Sequence, residues 1–253
     1  MEDQRFVTGD RKRIFVNTAL GCNSSCSYCY LPVEGYKTGA LPKVNVSLEE
    51  AINLIESTGL YVQGKYGTII SIGCFSECWD SNNRPKTRGL ISWALKNGNP
   101  VQMATKRVVT PDQVKEQCEN IQWQGQFSIF LSSATISQWK EFERGTSDPF
   151  KRFGYISGLI SHGVACYLYI KPVIEGVTIK DGAIYYSIAA ENGCGVVIGS
   201  RFDESVSDGV PAPIDSVSGL RMVVSNEESE LAEFFPHPMP VYCSSVDAIN
   251  SWR

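Results

Sequence analysis

Gly21-Cys22-Asn23-Ser24-Ser25-Cys26-Ser27-Tyr28-Cys29-Tyr30-Leu31-Pro32 is the stretch on which the reading of this chain turns. Three residues separate its first two cysteines and two separate the last pair. The stretch directly follows Ile14 to Ala19, which reads as a strand. This is a metal-ligand spacing. A structural zinc ion normally takes four ligands, yet no fourth Cys or His lies nearby, and Cys74 is the next candidate. Iron–sulfur clusters are held by cysteine thiolates, four of them when the protein supplies every ligand. Three thiolates would leave one iron open, and an open metal position is where chemistry takes place. Two plainer readings stand beside this one: a thioredoxin-like Cys26-x-x-Cys29 pair, and chance clustering in a chain that holds nine cysteines.

Composition bounds the rest. The chain has 253 residues, 43% of them hydrophobic and 20% charged, which fits one α/β domain with a sizeable core. No run of eighteen apolar residues predicts a membrane span. The opening Met1-Glu2-Asp3-Gln4-Arg5 lacks the apolar region of a secretory signal, so a cytoplasmic location is expected. There the cysteines serve as reduced thiols or metal ligands in preference to a disulfide framework. The net charge of −4 runs against a dedicated nucleic-acid binder. Its distribution is uneven. Six basic residues and no acidic one lie between Ser81 and Arg107 (Arg84, Lys86, Arg88, Lys96, Lys106, Arg107), either a solvated face or a surface that steers an anionic substrate. From Arg201 to Pro240 eight acidic residues face only Arg201 and Arg221.

Short β-rich runs alternate with stretches of helical period. Strands are predicted at Arg13–Ala19, Gly67–Gly73, Pro100–Thr105, Gln126–Ser132, Val164–Ile170 and Gly195–Gly199. Helix starts are marked by the capping box Ser47-Leu48-Glu49-Glu50, by Pro85, by Thr110-Pro111 and by Asp148-Pro149. The helix opened at Asp148 is expected to run through Ile160, and another covers Thr178 to Glu191. Six βα units predict a partial TIM barrel, (β/α)6, with right-handed crossovers. A single domain spanning 1–253 is expected. Its core covers about 13–200, and 201–253 is an irregular acidic extension with a loop at Val206 to Leu220 and an acidic helix within Asn226 to Phe235.

In parallel α/β folds the C-terminal strand ends carry function. Here the first delivers the cysteine loop and the second Cys74-Phe75-Ser76-Glu77-Cys78. Thr105-Lys106, Ser132-Ser133 and Lys171-Pro172 follow the next three.

The three-cysteine spacing, with an aromatic residue before the last cysteine, resembles the signature of radical S-adenosylmethionine (radical SAM) enzymes. Cys74-Phe75-Ser76-Glu77, Thr105-Lys106 and Phe142-Glu143-Arg144-Gly145-Thr146-Ser147, with Arg152 after them, narrow the resemblance to the spore photoproduct lyase group over roughly residues 13 to 176. The resemblance implies a radical SAM core in which Cys22, Cys26 and Cys29 ligate a [4Fe-4S] cluster. It further implies that Ser76 and Glu77 receive the amino group of S-adenosylmethionine (SAM), that Lys106 and Ser132 hold its carboxylate, and that Tyr28 packs on its adenine. Cys74 falls where that group has a hydrogen-donating cysteine, and Tyr30 matches a tyrosine of the same radical relay. Cys74 also reads as core filler at a strand end, since free cysteine packs as a small hydrophobe. An external flavodoxin- or ferredoxin-like electron donor is implied. The substrate is left open between a nucleic-acid base and a small metabolite or peptide. A non-catalytic barrel with a structural metal is the reading from another class. The remaining cysteines form no second cluster pattern.

Overall fold

The computed structural model describes residues 4–42, 44–202, 222–223 and 226–253. Its main sheet has eight strands: β1 (Val7–Gly9), β2 (Arg13–Val16), β3 (Ile69–Ile72), β4 (Val101–Thr105), β5 (Phe127–Ser132), β6 (Ala165–Ile170), β7 (Gly195–Ile198) and β8 (Val241–Tyr242). They lie side by side in chain order. β1 pairs antiparallel with β2, and every other neighbouring pair is parallel. The six expected strands are therefore β2 to β7, and the architecture is the expected partial barrel.

Period-two alternation explains the two faces of the sheet. Ile14, Val16, Ile70, Ile72, Val101, Met103, Ile129, Leu131, Leu168, Ile170, Val196 and Ile198 point outward into the main core. Helices α1 (Leu48–Ser57), α2 (Arg84–Lys96), α3 (Pro111–Cys118), α4 (Ile156–Ser161) and α5 (Gly182–Asn192) cover this face. They contribute Ala51 and Ile55, Leu90, Ile91, Ala94 and Leu95, Val114, Leu159, and Tyr185 with Ala189. The inward positions differ in kind: Arg13, Phe15, Ser71, Gln102, Ala104, Ser132 and Tyr169 line a cavity. A lumen that sets a few polar side chains (Arg13, Ser71, Gln102, Ser132) among apolar ones is shaped for a ligand.

Capping follows the sequence signals. Ser47 accepts from Glu50 N at 3.1 Å while Glu50 accepts from Ser47 N at 2.7 Å. Gln113 accepts from Thr110 N at 3.2 Å, and Asp148 accepts from Phe150 N at 2.9 Å.

Four expectations change. The helix expected from Asp148 to Ile160 is two short ones, Pro149–Phe153 and α4, broken at Gly154, where glycine weakens a helix by about 1 kcal/mol. The Thr178 helix opens with a 3-10 turn, Thr178–Asp181, before α5. The first strand ends at Val16, and Ala19–Leu20 turns away to pair with Val44–Asn45. The acidic helix expected within Asn226 to Phe235 is α6 (Glu227–Ala232), but the stretch after it, expected to be irregular, holds β8 and α7 (Ser245–Asn250). β8 extends the sheet beside β7 and so covers that strand's unpaired edge. Ala248 and Ile249 of α7 pack with Ile69, Phe130, Tyr167 and Val197 on the inner face. The expected loop at Val206 to Leu220 lies outside the described residues. Among the described residues no helix is long and apolar enough to cross a membrane.

Candidate functional site

A cavity of about 270 Å³ lies within the barrel. Its lining includes Cys22, Cys26, Tyr28, Cys29, Tyr30, Cys74, Ser76, Glu77, Lys106 and Ser132. Every site residue named from the sequence thus meets at one cavity, although they arrive from four separate strand exits.

The cysteine loop is held from outside itself. Ser25–Cys26 forms a short antiparallel ladder with Glu143–Arg144, which sets Cys26 opposite Glu143. Ser27 N donates to Phe142 O at 2.9 Å and Ser24 Oγ to Gly145 O at 3.1 Å. Arg107 donates to Gly145 O, to Asn23 Oδ1, and to Ser24 Oγ at 3.0 Å. Gly145 has φ +78°, and a Cβ there would stand 3.2 Å from Ser24 Cα. Glycine is what lets the two segments close.

All three thiols are free and partly buried. Burial, reinforced by the charge of Glu77, pushes Cys22 up to about 11. Burial also raises Cys26 to about 12 against the pull of Lys106, and raises Cys29. Metal ligation asks for thiolates, so these sulfurs need positive charge brought onto them. Among the described residues no three Cys, His, Asp or Glu side chains are gathered for a single metal ion. A cubane asks for something different, one thiolate on each of three irons. The donor set, three soft sulfurs on one cavity wall, suits that chemistry.

Behind the polar side of the cavity lies Glu143, fully buried beside an equally buried Arg152. Its Oε2 meets Arg152 Nη2 at 2.7 Å. Its Oε1 meets Lys106 Nζ at 3.3 Å and accepts from Tyr28 Oη at 2.6 Å and from Ala134 N at 2.8 Å. Burial alone would raise this carboxyl, but Lys106 and Arg152 outweigh it and bring it down to about 2. Lys106 Nζ in turn donates to Ser132 Oγ at 2.5 Å, and Arg152 donates to Ser132 O. The spacing of the sequence gives no role to Glu143; the run Phe142 to Ser147 was the only signal available.

The exit of β3 is shaped by Gly73 (φ +91°), where a Cβ would meet Cys78 Sγ at 2.8 Å. Buried Asn17 accepts from Phe75 N at 2.6 Å and so fixes the loop that carries Cys74. Glu77 already accepts from Trp79 N and Lys106 N, both at 3.0 Å, and from Thr105 Oγ1. It therefore ties the exit of β3 to that of β4. Ser76 Oγ is buried on the cavity wall with no hydrogen-bond partner among the described residues. Such an orphan hydroxyl calls for a ligand atom. Tyr30 Oη donates to Cys74 O and lies 3.6 Å from Cys74 Sγ. Cys74 itself is partly exposed and faces the cavity.

The basic stretch expected from Ser81 to Arg107 is largely used inside the molecule. Arg84 donates to Trp79 O and stacks over the Trp79 ring. Lys86 donates to Thr18 O and Val46 O, and Arg88 pairs with Glu116 at 2.6 Å. Lys106 and Arg107 serve the site.

The partial barrel of this chain is a fold shared with solved structures of low sequence identity. Among solved structures the chain is similar to spore photoproduct lyase. A variant of that enzyme with bound AdoMet and dinucleoside spore photoproduct superposes with a TM-score of 0.60 at 15% identity, covering 90% of this chain and 75% of that one. A second lyase variant gives 0.62 at 16%, covering 89% and 74%. SuiB from Streptococcus suis gives 0.58 at 10% identity, and the match spans 92% of this chain but 47% of SuiB. No protein-family model and no curated protein matches the chain.

Proposed function

We propose that this chain is a radical SAM enzyme whose cavity binds SAM beside a [4Fe-4S] cluster. The observation that supports it best is the convergence of all ten sequence-named residues on one cavity wall. Cys22, Cys26 and Cys29 would hold the cluster, and the unpartnered Ser76 hydroxyl, with the carboxylate of Glu77 beside it, would receive the SAM amino group. Lys106 and Ser132 would hold the SAM carboxylate as a charge-assisted pair of donors, and Tyr28 would flank the adenine. Cluster and SAM, once an external flavodoxin- or ferredoxin-like donor provides an electron, supply methionine and a 5′-deoxyadenosyl radical able to take hydrogen from a substrate.

The protein's own part is to bind, orient and exclude water. Cys74 would return a hydrogen atom to the product by breaking its S–H bond as a C–H bond forms. Tyr30, whose oxygen stands 3.6 Å from that sulfur, would then restore the thiol by giving up its O–H hydrogen, and the tyrosyl radical so left would return to tyrosine by taking one electron from the external donor and a proton from solvent. A small metabolite or peptide suits the site better than a nucleic-acid base in a long strand, because the basic stretch available to neutralise phosphates is largely engaged by the protein's own groups.

Anaerobic reconstitution with iron and sulfide, followed by dithionite reduction in the presence of SAM, tests the core claim. Release of 5′-deoxyadenosine is the expected result. Its absence from a chain carrying iron and sulfide would return the protein to the class of structural-metal barrels. Salt-dependent affinity for single- or double-stranded DNA would overturn the preference for a small substrate.

A further inference from the structure

Glu143 touches both halves of the cavity wall, and its contacts are of unlike kind. Toward the cysteine loop it accepts from Tyr28, which sits between Cys26 and Cys29, and its backbone faces Cys26 in the ladder. Toward the strand exits it holds Lys106 at 3.3 Å and Arg152 at 2.7 Å. The Lys106 ammonium meets no other carboxylate among the described residues; its remaining contacts are the Ser132 hydroxyl and the face of the Tyr28 ring, 5.6 Å away, while its backbone N–H goes to Glu77. In the group Glu143, Lys106 and Arg152 two cations face one carboxylate, and the excess positive charge reaches the cavity at Lys106, while the Glu77 carboxylate stands beside it on the same cavity. Buried charges are stable when they are balanced. A ligand that brings a carboxylate to Lys106 and Ser132 and an ammonium to Glu77 keeps that balance.

We propose that Glu143 is a positioning residue that aims the Lys106 ammonium at a ligand carboxylate and holds the cysteine loop in the same frame. The inference rests on the SAM reading given above. Glu143 need not touch SAM. It acts through Lys106 on one side and through Tyr28 on the other. Without its charge the Lys106 ammonium is held by a neutral hydroxyl and the face of the Tyr28 ring, and on a flexible four-carbon stem it then loses its direction.

The test compares SAM with decarboxylated SAM, which lacks the carboxylate. Dissociation constants are measured by equilibrium dialysis on the reconstituted holoprotein. Glu143→Gln keeps the size of the side chain and an acceptor for Tyr28 but removes the charge. The expected result is a loss of SAM affinity of roughly ten- to a hundredfold, the worth of one charge-assisted hydrogen bond, with affinity for the decarboxylated analogue unchanged. An equal loss for both ligands would mean that Glu143 is merely structural, and unchanged SAM affinity would equally overturn the proposal. If the single variant does not fold because Arg152 is left unbalanced, Glu143→Gln with Arg152→Gln removes the buried cation together with its partner. The same selective loss is expected of it, and a non-selective one overturns the proposal. Wild-type protein that carries the cluster yet binds neither ligand would instead refute the SAM reading itself, which separates the two failures.

Discussion

Replacing Glu143 by Gln should destabilise the iron-free chain by an amount that depends on pH in a calculable way. At neutral pH the substitution leaves Arg152, which is fully buried, without its carboxylate, and breaking such a pair costs about 3–5 kcal/mol. The acid limb follows from the carboxyl's position, which falls from 4.5 to about 2 on folding, despite burial, because of Lys106 and Arg152. The unfolded chain takes up a proton near 4.5 that the folded chain refuses until about 2. The stability this gives is therefore complete above the unfolded value and fades as the pH falls toward the folded one. That difference is worth about 3 kcal/mol at neutral pH, of which roughly two-thirds is gone by about pH 3. Gln cannot titrate, and all other groups cancel in the comparison. The destabilisation should thus shrink by about 2 kcal/mol between pH 7 and pH 3. Urea unfolding under reducing conditions, followed by tryptophan fluorescence at several pH values, measures it. A penalty that stays constant across this range would refute the claim that Glu143 is an ionised member of a buried triad.

Changing any one of Cys22, Cys26 or Cys29 to Ala should abolish both the visible absorbance of the reconstituted protein and the release of 5′-deoxyadenosine; retention of either would remove that cysteine from the ligand set. Cys74→Ala should leave 5′-deoxyadenosine release intact while altering the product spectrum once a substrate is in hand, and unchanged products would return Cys74 to a packing role. Tyr30→Phe should cost about 1 kcal/mol for its lost hydrogen bond to Cys74 O and alter products in the same direction, which a denaturation curve and a product assay together would check. Gly73→Ala should destabilise the chain by about 1–3 kcal/mol, because its backbone is left-handed and the new Cβ meets Cys78 Sγ at 2.8 Å; a neutral effect on the unfolding midpoint would contradict this packing.

The features legible in the sequence were those written locally. The strand runs of β2 to β7, the box at Ser47 and the spacing of Cys22, Cys26 and Cys29 each lie within a few residues of one another, where period and chemistry can be read directly. β1 and β8 were missed because strands of three and two residues are too short to carry a period. The break at Gly154 was missed because one glycine only lowers helix propensity, and tertiary packing decides whether the helix yields. Glu143 was missed for a deeper reason. Its contacts to Tyr28 and Lys106 join residues far apart in the chain, and no local pattern marks a carboxylate that will be buried between two cations brought from elsewhere. The basic run from Arg84 to Arg107 misleads for the same reason, since its partners Thr18, Val46 and Glu116 lie outside it.

The ladder between Ser25–Cys26 and Glu143–Arg144 also has a consequence in time. Tyr28 and Glu143 are 115 residues apart, and a ribosome adds about 5–20 residues each second. The cysteines therefore leave the ribosome about 6 to 23 seconds before the segment that clamps their loop. Until then they are three unguarded thiols on a nascent chain. A cluster of the kind proposed would find the finished geometry only after the fifth strand and the short helix bearing Arg152 have been made. Its installation would then be a late event, timed by the length of chain between a loop and its clasp.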